Sequence, residues 1–568
     1  MVSVGTMLLN INVVTVAHVS CRRLAVFIFF MPLMKYTSMK MKFLLIILIL
    51  TSAFASSVSA VEGYLDLTDS VPRKEQVGAS RLPNIIAPVK APFAMVQFKK
   101  PVFPKLTINI TANSAKEGTK VTSAIQAAIN QVSQRGGGTV VVPKGKWFSG
   151  RIVLKSNVNL HFEDGAELTF SGELEDYQPA VFTRNEGIEL MSLGACIYAN
   201  GQENIAVTGK GRLIGPPKGS PVRERVMDTV VIESFVSYKT PVAKRMYDGS
   251  KGGYVFPVMF ISPINCKKVY IEGVSLENTA FWNIVPVYCD NVIIRGITVN
   301  SVGIQRGDGI DIESSRNVLI EYNTLSCGDD CFTIKAGRNE DGLRVNKPSE
   351  NIVVRYCLAL EGHGGITCGS ETAGMIRNLY VHDCVFQNSG TGIRFKTRRL
   401  RAGGGKNLFY ERIRMNISGP AFEWDMLGSA THMGKLASRY PPLPVTPLTP
   451  SFSNIKATNI LVEKASRFVK ANGIPEQPLR DVLIDHSWFS VDKLWQATDV
   501  NGFEVRNTII RAQDPNMSFL DARSIKFNKV TFEVPGGQLV KTITGDKSGN
   551  ISFEGSLVVT LKSGDERQ

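Results

Sequence analysis

Three aspartates, one histidine and two cations hold the clearest chemistry in this chain. Asp308 stands in Arg306-Gly307-Asp308-Gly309-Ile310-Asp311, and Asp329 and Asp330 in Gly328-Asp329-Asp330-Cys331. His363 stands in Gly362-His363-Gly364, and Arg394 and Lys396 in Arg394-Phe395-Lys396. Carboxylates brought within a few ångströms repel one another, so at least one keeps its proton while its partners stay ionised. Glycosidic bond cleavage needs that division, with an acid for the leaving oxygen and a base for water. A histidine alongside can tune the acid. An Arg and a Lys two residues apart on a strand point the same way, a pairing that suits the carboxylate of an acidic sugar. Taken singly, each piece is ordinary: Asp-Asp a turn, Gly-His-Gly a loop, Arg-x-Lys a solvated face. Arg306-Gly307-Asp308 also spells a cell-adhesion tripeptide.

What would bring these residues together is a repeat. A polar residue, usually Asn, followed by alternating apolar residues begins at Asn204, Lys268, Asn291, Asn317, Asn351, Asn378, Asn407, Asn454 and Asp481, with weaker copies at Ser524 and Asn550. The regular intervals are 23, 26, 34, 27, 29 and 27 residues. That period, with strand-like content and no intervening helices, predicts a parallel β-helix in which each coil buries its apolar face by stacking on its neighbours. The Leu pattern of a leucine-rich repeat is absent. The Asn column is expected to be structural, its amides bonding along the axis at a turn. Stacked coils lie roughly 4.8 Å apart, so residues one period apart become neighbours. Asp329 lies 12 residues after Asn317 and His363 lies 12 after Asn351, which predicts one column for the two. Arg394 lies 16 after Asn378, a different phase that implies a longer turn.

The remaining segments frame that array. Helical spacing over Lys120 to Gln134 puts Val121, Ala124, Ile125, Ala128, Ile129 and Val132 on one face, as a cap on the open end of the solenoid would require. The domain is expected to span 106–560. Residues 61–105 read as an N-terminal arm or linker. Residues 39–60 read as a signal peptide, with a basic start, an apolar run too short to span a bilayer and small residues before Ala60. Residues 1–38 read as an upstream extension. Two insertions interrupt the coils: about 216–257, carrying Arg223, Arg225, Lys239, Lys244, Arg245 and Lys251, and about 426–450. The chain carries a net charge of +15, five units of which fall in residues 1–60, so an anionic partner is expected. Of the nine cysteines, Cys21 lies in the presegment. The other eight form no Cys-x-x-Cys pair, and are expected to be mostly buried free thiols with at most one or two bridges. No metal cluster, phosphate loop or nucleic-acid module appears. The expectation is therefore an exported, periplasmic or extracellular monomer acting on an acidic polysaccharide, without a cofactor and without a membrane contact once the signal is removed.

At these motifs the chain resembles the polygalacturonases of glycoside hydrolase family 28, which carry Asn-Thr-Asp, Gly-Asp-Asp, Gly-His-Gly and Arg-Ile-Lys blocks in this order. The second and third blocks are intact, and the fourth changes in its middle residue. Gly137-Gly138-Thr139-Val140-Val141-Val142-Pro143 also looks like the family's opening. Gly337-Arg338-Asn339 and Pro348-Ser349-Glu350-Asn351 look like its bacterial, often exo-acting branch. The resemblance implies an all-β, single-stranded right-handed parallel β-helix (a pectin-lyase-like solenoid) with a short N-terminal capping helix. It also implies an inverting hydrolase of pectin in which Asp329 is the general acid, Asp308 and Asp330 activate water, His363 sustains the acid, and Arg394 and Lys396 bind a uronate. The departure is Arg306 in place of the first block's Asn, where a cationic sugar contact or a decorated pectin such as rhamnogalacturonan is the expectation. The long 216–257 insertion suggests exo action. A β-helix polysaccharide lyase and a non-catalytic binding β-helix are the alternatives.

Overall fold

The computed structural model describes residues 67–223, 232–250 and 253–561. The expected signal peptide, the upstream extension, and Arg225 and Lys251 lie outside them. The fold is an all-β parallel solenoid. In one of its sheets, strands Lys267–Glu272, Asp290–Arg295, Arg316–Glu321, Ser349–Arg355, Ile376–Gln387 and Gly404–Asn416 pair in parallel, each with the next. Register brings one apolar residue per coil into a column: Val269, Val292, Val318, Ile352, Leu379, Leu408, Ile455, Val482 and Phe503. All nine are buried. Alternation makes this possible, because every second side chain points inwards. All eight described cysteines are buried and unbridged, and all sit in the same apolar core.

The Asn column turns each coil. Asn204, Lys268, Asn291, Asn317, Asn351, Asn378, Asn407, Asn454 and Asp481 all have positive φ, as do Ser524 and Asn550. Asn tolerates the left-handed conformation better than most residues. Its amide then joins a ladder: Asn351 Nδ2 donates to Asn317 Oδ1, Asn378 to Asn351, Asn407 to Asn378 and Asn454 to Asn407, at 3.4, 3.0, 3.1 and 2.7 Å.

The helix Thr122–Gln134 buries Ala124, Ile125, Ala128, Ile129 and Val132 against the first coils. Residues 67–106 form a strap along the outer wall. Arg414 holds the carbonyls of Thr68, Val71 and Pro72, Arg295 holds that of Pro83, and Arg355 those of Ala87 and Pro88. Val89 and Phe98 cover the outward side chains of Ala206, Tyr270, Ile293, Leu319, Val353 and Tyr380.

Asn378→Ala removes both the ladder amide and a side chain suited to φ 55°, at a cost of about 1–2 kcal/mol. Its unfolding midpoint is expected to fall below that of Asn378→Gly, which loses the amide but accepts the bend. Chemical denaturation of the two variants checks the order.

Candidate active site

The site lies on the strand stack formed by Ile310–Glu313, Phe332–Lys335, Leu358–Cys368, Ser389–Lys396 and Pro420–Asp425. Ile310, Phe332, Ile366, Ile393 and Phe422 share one inward column. Just before it, where each coil bends, the acids collect. Gly309 N–H donates to the Asp330 carbonyl (3.0 Å) and His363 N–H to the Asp329 carbonyl (2.9 Å), which puts Asp308 beside Asp330 and Asp329 beside His363 on adjoining coils. One carboxylate oxygen each from Asp308, Asp329 and Asp330 lie within 4.8 Å of one another. The two glycines around His363 make room for this approach. A Cβ on Gly364 would meet Asp330 Oδ1 at 2.7 Å, and one on Gly362 the Asp329 carbonyl at 2.8 Å.

The three carboxylates have distinct surroundings. Asp330 is fully buried and takes Lys396 Nζ at 2.8 Å and Arg394 Nη1 at 3.5 Å. Burial alone would raise its pKa, but Lys396 and Arg394 outweigh it and hold the carboxyl well below the usual carboxylate range. Asp308 is pushed the other way, well up, by burial and by Asp311 and Asp329. Its countercharge is Lys335 Nζ at 3.8 Å. Asp329 is the most open of the three, its side chain 23% exposed. Its Oδ1 accepts from the Asp330 N–H (2.9 Å) and lies 3.1 Å from His363 Nδ1. That hydrogen bond raises the His363 pKa.

Arg394 needs no longer turn to explain its phase. It stands in register with Thr367, and through it with Thr333 and Asp311. Thr333, Thr367 and Arg394 each lie 16 residues after their coil's Asn, so they form a column of their own.

The structure adds residues that the sequence did not single out. Lys335 is buried, 3.6 Å from Asp311 and 3.3 Å from Glu371, with its ammonium 4.5 Å from the centre of the Trp282 ring. Asp311 accepts from Thr333, and burial lifts its pKa to about 7 against the pull of Lys335. Arg338 ties Glu371, Glu186 and Glu233 together at 2.7, 3.3 and 3.1 Å. An alternating strand shows no signal for Lys335. Asp311 lay within the motif but had no partner in view.

Asp308, Asp329, Lys335, Arg338, Glu371 and Lys396 line a cleft of about 890 Å³. Arg306 lines it too, but its guanidinium is paired with Glu186 of the hairpin Val181–Ser192, so it does not present the free cation expected from the sequence. Asp308, the last residue of the adhesion-like tripeptide, is only 3% exposed. The 216–257 insertion contributes Glu233 and Ser234 to the cleft wall, and the segment after Met426 contributes Thr431, Met433 and Leu436. Arg245 anchors the first insertion through Asp341 at 2.8 Å.

Residues 249–421, which hold Asp308, Asp329, Asp330, His363, Arg394 and Lys396, match the family described as Glycosyl hydrolases family 28. Through this segment the chain is similar to the family 28 glycosyl hydrolases. The hydrolase is 26% identical over 396 residues to a probable polygalacturonase of Vitis vinifera, covering 67% of this chain and 74% of that protein. It is 26% identical over 332 residues to an exo-poly-alpha-D-galacturonosidase of Dickeya chrysanthemi, covering 54% of this chain and 55% of that one. Among solved structures, the exopolygalacturonase of Thermotoga maritima aligns with a TM-score of 0.61 at 28% identity, over 78% of this chain and 93% of that one.

Lys396→Met leaves the burial of Asp330 unopposed on that side, so its pKa rises and its ionised form is lost at a higher pH. The acid limb of the pH–rate profile is expected to move up by about one unit or more, and kcat/KM to fall by about 10²-fold or more. An acid limb that stays in place would show that Lys396 does not set the charge of Asp330.

Proposed function

We propose that this hydrolase cleaves α-linked galacturonic acid bonds in pectin, working from chain ends by an inverting mechanism. The observation that carries the reading is the division of the acid cluster. Asp330 is locked ionised between Lys396 and Arg394, while Asp329 stands open to the cleft against His363. The Dickeya and Thermotoga relatives, named for galacturonide cleavage, support the substrate class.

Asp329 protonates the glycosidic oxygen as the bond to the anomeric carbon breaks. Water attacks that carbon from the other side and passes its proton to the Asp308–Asp330 pair. Solvent then returns a proton to Asp329 and removes one from the pair. Arg394 and Lys396 also face the cleft side of the stack, and their charge favours a uronate at the bond being cleaved. Inverting pairs usually stand about 6.5–9.5 Å apart, more than the 4.8 Å within which the present oxygens lie. Burial supports inversion all the same. Asp308 touches the cleft at 3% exposure and Asp330 behind it is 0% exposed, so a water reaches the pair through Asp308 while neither carboxylate stands open to an anomeric carbon. Exo action rests on the wall of hairpin 181–192, the Ile232–Ser234 turn and the helix Asn339–Val345, joined by Arg338, Arg245 and Arg344. Export rests on the 39–60 segment.

Asp329→Asn is expected to lower kcat on polygalacturonate by about 10²–10⁴-fold while leaving binding of trigalacturonate within a few-fold. Turnover that survives would remove Asp329 from the acid role, and unsaturated products would mark a lyase. Proton NMR of the first product should show the β-anomer, and chromatography should show mono- or disaccharide from the first minutes. An initial α-anomer would overturn inversion, and early mixed oligomers would overturn exo action.

His363, hydrogen-bonded to Asp329, keeps its proton until pH rises through its raised pKa. His363→Gln removes the proton that sustains the acid beside it. The alkaline limb of kcat is therefore expected to move to lower pH, and an unmoved limb in a pH–rate series would exclude the pairing.

A further inference from the structure

Three buried cations surround a single carboxylate at the walled end of the cleft. Glu371 lies 3.3 Å from Lys335, 2.7 Å from Arg338 and 3.6 Å from Arg401. Lys335 also has Asp308 and Asp311 within reach, and Arg338 has Glu186 and Glu233. Arg401 has no second carboxylate in contact among the described residues, and Glu233 acts on it only from farther off. Its contact with Glu371 is too long for a hydrogen bond, and its Nε and Nη1 are buried without a hydrogen-bond acceptor. The residue is 5% exposed, yet it lines the cleft.

A desolvated guanidinium with two unmet donors is unfavourable unless an anion completes it. Burial, and Arg338 beside it, lower the Arg401 pKa to about 10, which is what a cation short of countercharge shows. The position is held firmly. Arg401 N–H donates to the Arg398 carbonyl at 3.0 Å, and the Ala402 carbonyl accepts from Thr372 Oγ1 at 2.8 Å. A buried donor fork carried on fixed backbone loses little freedom on binding. Contacts of 3.6, 3.3 and 3.8 Å lead from Arg401 through Glu371 and Lys335 to Asp308, so the fork lies near the cleavage point yet apart from Arg394 and Lys396.

We infer that Arg401 is a second carboxylate-recognition site, which takes the free carboxylate of a terminal uronate at the walled end of the cleft. The inference rests on the galacturonide-cleaving reading given above. The Arg394–Lys396 pair serves the bond being cleaved, while Arg401 identifies the chain end as an unesterified acid. The bound carboxylate supplies the acceptor that Nε and Nη1 lack, and a methyl ester cannot supply its charge.

The test is steady-state hydrolysis of trigalacturonate by the full chain and by Arg401→Gln and Arg401→Lys. KM is expected to rise by about 10- to 100-fold in Arg401→Gln, with kcat within about threefold, and by an intermediate factor in Arg401→Lys, which keeps the charge but loses the fork. Competitive inhibition by the trimethyl ester of the same trisaccharide should stay within about threefold across the three proteins, since an ester does not use the site; a merely structural effect would move both readings together. A KM that stays within about threefold in both variants of a protein that does cleave trigalacturonate overturns this inference alone. A parent protein that cleaves neither trigalacturonate nor polygalacturonate overturns the underlying reading with it. Should Arg401→Gln fail to fold, as judged by its circular dichroism melt, Arg401→Lys decides: a KM raised about threefold or more supports the site, and an unchanged KM overturns it.

Discussion

Each coil is hydrogen-bonded to the next over most of its length, so successive coils sit about 4.8 Å apart and a charge placed on one is carried against the charges of its neighbours. The active site depends on that spacing. It forces Asp308 and Asp330 together where free side chains would separate, and it sets His363 directly beside Asp329. Repulsion between the acids is held in place by a core that stacks in register from Val269 to Phe503. The solenoid thus gives the site a geometry that a loop could not maintain.

The second layer of the site is electrical. Behind the three aspartates runs a buried succession of opposite charges, with Lys335 against Asp311 and Glu371, Arg338 against Glu371 and Glu186, and Arg184 against Glu313. Burial raises Glu313 to about 7 even with Arg184 beside it, while Lys335, Arg338 and Arg401 overcome burial and hold Glu371 well below its usual range. Such a network keeps Asp308 and Asp330 in different states, one pKa raised and one depressed, although both are buried. Removing either kind of neighbour should upset that balance more than it upsets packing.

The features legible in the sequence were those governed by one coil and its neighbour. The Asn bends, the capping helix and the Asp329–His363 column follow from period and phase, and the structure has each of them. Arg394 was placed correctly in chain order, but its phase was misread because its column partners, Thr333 and Thr367, look like ordinary strand residues. Lys335, Glu371 and Arg401 were not legible. Their roles arise where loops fold back across several coils, and no local period records that. Arg306 was visible as a departure, but Glu186, 120 residues earlier, decides what its charge does. The strap shows the same limit. Its Pro-rich, aperiodic sequence says little, because its order comes from arginines on the wall it crosses.

That strap also sets a sequence of events in time. Arg414 grips the carbonyl of Thr68 across 346 residues of chain, and Arg295 and Arg355 grip it farther along. The strap leaves the ribosome ahead of every coil, yet the groove that seats it is incomplete until the coil of Arg414 has formed. This early segment is therefore among the last to settle, and it must stay unpaired while most of the solenoid is built. Once seated, it crosses coils that otherwise touch only their immediate neighbours, so a solenoid that could fray one coil at a time is fastened lengthwise like a laced seam.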